Sequence, residues 1–85
     1  MEEKEVGRVL DYYAKIGVVA IEVTGDEIKV GDILHFKGAT TDFKQVVESM
    51  QIEHKQVQIA KKGDKVGIKV NERVRPHDKV YKVIE

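Results

Sequence analysis

Residues 60–70 read Ala-Lys-Lys-Gly-Asp-Lys-Val-Gly-Ile-Lys-Val. A charged turn, Lys61-Lys62-Gly63-Asp64, runs straight into an alternating strand, Val66-Gly67-Ile68-Lys69-Val70. A second Gly-Asp turn, Val30-Gly31-Asp32, stands ahead of the strand-like residues 33–36. Glycine and aspartate set the backbone of tight turns, and β-branched residues favour the pleated strand that follows. Two such junctions mark strand starts in a small all-β domain.

The rest of the chain fits that class. Residues 6–13 alternate, with Val6, Arg8, Leu10 and Tyr12 on one face and Gly7, Val9, Asp11 and Tyr13 on the other. Residues 18–24 form a more apolar run, and Gly17 before it can take the positive φ of a hairpin bulge. A third strand, 33–37, ends at Gly38, and residues 65–70 and 79–84 alternate again. Gly67, inside a strand, signals a bulge or a close backbone approach. Over residues 42–57, Phe43, Val46, Val47 and Met50 have helical spacing, while Val46, Met50 and Ile52 also match a strand face. The only proline, Pro76, lies in a loop over 71–78. Strands and turns at this spacing suit a barrel or sandwich.

With 85 residues the chain makes one domain, 1–85, without cysteine and so without disulfides, thiol chemistry or Cys-type zinc sites. Fifteen basic and fifteen acidic residues cancel, which argues against non-specific coating of nucleic acid. The polar start, Met1-Glu2-Glu3-Lys4-Glu5, does not read as a signal peptide, and no apolar run is long enough to span a bilayer. A cytoplasmic location is expected. His35, His54 and His77 show no metal-ligand spacing, and Ser49 has no nearby histidine to activate it. No cofactor, metal or catalytic residue is expected, and the chain reads as a non-enzyme.

The segment 60–68 resembles the Ala-x-x-Gly-Asp-x-Val-Gly pattern of the β-barrel second domain of translation elongation factor Tu and related translational GTPases. Val6-Gly7-Arg8-Val9 looks like that family's opening strand, and residues 28–36 look like its Val-Gly-Asp strand. Met50-Gln51-Ile52-Glu53-His54 stands in place of the central strand, and Arg75-Pro76-His77-Asp78-Lys79-Val80 in place of the closing turn. The resemblance covers nearly the whole chain and tips 43–54 toward strand. It departs at Pro76-His77-Asp78, where the family's closing turn usually carries glycine, so a turn of different shape is expected there, and the family's phosphate loop and guanine reader are absent. GTP hydrolysis is therefore excluded. A similar barrel is also appended to the C-terminus of some collagenase-like peptidase-family proteins linked to RNA modification.

The resemblance implies a closed six-stranded antiparallel Greek-key β-barrel. It implies a non-catalytic binding module of translation or RNA modification that contacts tRNA, ribosomal RNA or a translation-related protein. The alternative is a protein–protein adaptor for a separately encoded enzyme, which zero net charge favours over bulk RNA binding. Charge and turn placement, not the family, nominate Lys61, Lys62, Arg73 and Arg75 as binding residues, because guanidinium forks and turn amides suit phosphate. One of Tyr12 and Tyr13 should be core, leaving the other free to stack on a base or a partner's side chain.

Overall fold

The computed structural model describes residues 2–84, all of them in strands, turns and loops. The long strand β1 (Glu2–Tyr13) turns into β2 (Val18–Val23), and a short β3 (Ile28–Lys29) leads to β4 (Ile33–Lys37) and β5 (Asp42–Val46). Three short strands follow: β6 (Met50–Ile52), β7 (Lys55–Val57) and β8 (Ile59–Ala60). The chain closes with β9 (Lys65–Lys69) and β10 (Lys79–Ile84).

Eight strands make one antiparallel sheet in the order β5-β4-β10-β1-β2-β9-β6-β7, and β3 pairs separately with β8. The expected closed six-stranded barrel is therefore corrected. β5 and β7 are the sheet's two outer strands, and the hydrogen-bond ladder does not run from one to the other. Side chain and loop contacts span the gap instead. The Gln45 amide on β5 donates to the Lys69 carbonyl and accepts from the Asn71 N–H, both at 2.8 Å. Gly31 N–H donates to the Val47 carbonyl, and Val30 N–H to that of Gln58.

Alternation builds the core where it holds. β2 buries Val19, Ile21 and Val23, β4 buries Leu34 and Phe36, and β9 buries Val66 and Ile68. Phe36 stands opposite Phe43 in register, and the rings stack at 5.0 Å. β1 breaks the two-residue period. Its register shifts between Glu5 and Gly7 and again between Val9 and Asp11, so Val6 and Val9 both face inward. A bulge inserts one residue and moves all that follow to the other face, which the alternation of 6–13 does not reveal. The two readings of 42–57 resolve as β5, β6 and β7, and the helix-like trio Phe43, Val47 and Met50 is buried from three different segments. Lys82 lies on the inner face of β10, and its ammonium reaches the end of the core to donate to the Glu27 carbonyl at 2.8 Å.

Candidate functional site

Three turns share one construction. In Lys29-Val30-Gly31-Asp32 the Lys29 N–H donates to the Asp32 carboxylate at 2.8 Å, and the Asp32 N–H returns to the Lys29 carbonyl at 3.0 Å. Lys61-Lys62-Gly63-Asp64 repeats both bonds at 2.9 Å. Arg75-Pro76-His77-Asp78 repeats them at 2.9 and 3.1 Å. The third residue has positive φ each time: Gly31 at 99°, Gly63 at 94° and His77 at 75°. These are the requirements of a type II turn, with Pro76 at its favoured second position. His77 thus adopts the glycine-like conformation itself.

This geometry places the nominated basic residues. Lys61 and Lys62 lie exposed in the turn that precedes β9, which the Gly63 N–H ties to the Val23 carbonyl. Arg73 and Arg75 lie exposed in the loop after β9, whose end is tied to Val9 through the His77 N–H and the Asp78 carbonyl. Lys61 and Lys62 thus stand before β9, and Arg73 and Arg75 after it. Tyr12 packs against the core, while Tyr13 is 49% exposed.

A cleft of about 280 Å³ opens beside Tyr13 on the outer face of the sheet. Ala20 of β2, Gly67 of β9 and Gln51 of β6 stand in one cross-strand row, so two of the smallest side chains meet and leave a depression. Val18 and Ile16 wall it on the hairpin side, with Ile16 63% exposed at the turn. β6 pairs with β9 only through Met50 and Gln51, and beyond Gln51 the β6–β7 hairpin leaves β9. Its two-residue tip, Glu53 and His54, overhangs the cleft opposite Lys65. Both tip residues have positive φ, 51° and 65°, the conformation of a hairpin turn usually filled by Asn-Gly.

A second cluster sits on β4. The buried His35 ring lies between two carboxylates, with Nδ1 donating to Glu3 at 2.8 Å and Nε2 to Asp42 at 2.5 Å. Acceptors on both sides require the doubly protonated imidazolium. The hydrogen bonds to Asp42 and then Glu3 hold the His35 pKa above its ordinary value, and His35 in turn lowers both carboxylates. Opposed ring nitrogens cannot bind one ion with both acids, and no three-residue metal cluster occurs among the described residues. The cluster ties β1, β4 and β5 together.

No protein-family model matches the chain. A Methanocaldococcus jannaschii protein described as an uncharacterized protease is 50% identical over 78 residues, covering 91% of this chain and 19% of that protein. A collagenase of Porphyromonas gingivalis is 37% identical over 78 residues, covering 91% of this chain and 22% of the collagenase. The chain spans about a fifth of the length of these curated relatives. Among solved structures, the C-terminal domain of a Geobacillus thermoleovorans protein named as a U32 peptidase superposes with TM-score 0.88 at 24% identity, covering 95% of this chain and 93% of that one. Its selenomethionine variant gives 0.86. At that identity the likeness establishes a shared fold.

These relatives correct the expectations drawn from translation factors. The similar proteins are of the U32 peptidase and collagenase kind, not elongation-factor second domains, and the translation or RNA-binding module falls with that resemblance. The expectation of a non-enzyme is corrected as well, to this extent: the relatives carry the names of an enzyme family, of whose members this chain matches about a fifth, and they do not favour the adaptor to a separate enzyme. The misleading motifs have a physical origin. Gly-Asp ahead of a strand encodes the type II turn described above, which unrelated small sheets can share.

Proposed function

We propose that this chain is a polypeptide-holding domain of a protease-family protein. The observation that carries this reading is the 50% identity, over 91% of the chain, to a protein described as a protease. The names of the relatives supply the substrate class: proteases and collagenases act on polypeptide. The cleft at Tyr13 and Ile16 supports it, since exposed apolar side chains around a depression are what an unfolded chain can grip. In proteins of the relatives' length, the domain would work beside the remaining four-fifths and keep substrate close by raising its local concentration.

Fluorescence anisotropy of labelled gelatin titrated with the chain tests this. Saturable binding that survives moderate salt is expected, because an apolar grip is weakly screened. Absence of binding to gelatin and to unfolded casein alike would overturn the proposal.

A further inference from the structure

We infer that the cleft between the β1–β2 hairpin and the β6–β7 tip receives a single bulky apolar side chain, aromatic or branched, from an extended polypeptide. This deepens the polypeptide-holding reading and rests on it. Size is the first argument. At about 280 Å³ the cleft has room for one large apolar side chain.

Chemistry is the second argument. The Ala20 and Gly67 floor and the Ile16 and Val18 wall offer apolar surface, while the polar groups of Glu53, His54 and Lys65 stand at the rim. An inserted apolar side chain would meet the floor, and its flanking peptide groups would meet rim donors and acceptors. Backbone strain is the third. Glu53 and His54 sit at positive φ where Asn-Gly would relax the turn, and strain of this kind gathers at ligand clamps.

Position selects the occupant. Glu2 pairs with Ile84, so both ends of the described chain meet at one end of β1, and Tyr13 lies at the other. In the proteins whose C-terminal domains share this fold, the rest of the chain joins at the start of that first strand. The cleft lies toward the other end of β1 from that junction, where an extended polypeptide can reach it.

Amide NMR shifts of the chain, titrated with acetyl-Gly-Phe-Gly-amide or acetyl-Gly-Ala-Gly-amide, test the inference. Phe peptide should move the Ile16, Ala20 and Gly67 resonances and bind at least about tenfold tighter than Ala peptide, from the larger apolar area buried. Tyr13→Ser and Ile16→Ser change exposed residues, so the melting temperature should hold while Phe-peptide and gelatin binding weaken. Equal binding of the two peptides, or shifts centred on Ile33 and Val46, would overturn the inference. So would an RNA oligonucleotide that moves the cleft resonances when millimolar peptide does not. If gelatin binds but ignores Tyr13→Ser and Ile16→Ser, the cleft assignment fails and polypeptide holding stands; if no polypeptide binds, both fail.

Discussion

At Asp32, Asp64 and Asp78 one carboxylate oxygen does the same job: it accepts the N–H three residues upstream and holds a type II turn shut. Removing that acceptor at an exposed turn forfeits one hydrogen bond. Asp64→Ala is expected to cost about 1 kcal/mol in urea denaturation. Gly63→Ala should cost roughly 1–2 kcal/mol for a different reason, because nothing lies within 4 Å of the added methyl and only the left-handed backbone resists it. Gly67 gives the contrast. Its negative-φ backbone and ordinary spacing, 3.4 Å to Val18 and 3.8 Å to Gln51, admit a methyl, so Gly67→Ala should leave stability within about 0.5 kcal/mol. Gly7 resists a side chain sterically, because a methyl would stand 2.5 Å from the Glu22 carbonyl oxygen, and Gly25 does so against the Glu5 carbonyl. Turn glycines are legible in sequence because their partners are three residues away. Gly7 is not, because its partner arrives from β2 through the bulged register. Gly67 was a signal that could have led to the cleft, but only with Ala20 and Gln51 known to flank it.

Between elements, the His35 cluster binds β4 to β1 and β5 through charge. Glu3 faces it from β1, Asp42 and Lys44 from β5, and the Tyr81 ring from β10 at 6.3 Å. A histidine whose folded pKa is raised contributes fully below its unfolded value near 6.5 and loses that contribution as pH climbs through the folded value. The lowered carboxylates lose theirs only as acid protonates them, below about pH 4–4.5. The stability difference between the native chain and His35→Gln should therefore be largest near about pH 5–6 and shrink toward pH 9. Denaturation midpoints measured at both ends of that range check it, and a pH-independent difference would contradict it. Strand existence was largely legible, since β2, β4, β9 and β10 follow two-residue alternation. The strands β3, β7 and β8 were not, because two or three residues are too few to display a period, and β6 was reached through the resemblance rather than through periodicity alone.

Over the whole molecule, the sheet curls without closing its ladder. Gln45 makes the junction, with a side-chain amide doing what a strand pair would do in a barrel. Gln45→Ala is expected to cost on the order of 1–2 kcal/mol in denaturant, with faster amide exchange at Asn71. The Gln45 junction was hidden in sequence because it joins residues far apart in the chain, and neither glutamine nor asparagine announces its partner. The cleft was hidden for a related reason. The Gly-Asp turns are local and resemble those of translation barrels, whereas the cleft is assembled from one or two residues on each of several strands.

Amide hydrogen exchange of the chain with and without gelatin tests whether the cleft holds polypeptide. Slowed exchange is expected at the β1–β2 turn over residues 14–17, along Ala20 and Gly67, and at the β6–β7 tip. Protection confined to the turns holding Lys61, Lys62, Arg73 and Arg75, or no protection at all, would contradict it.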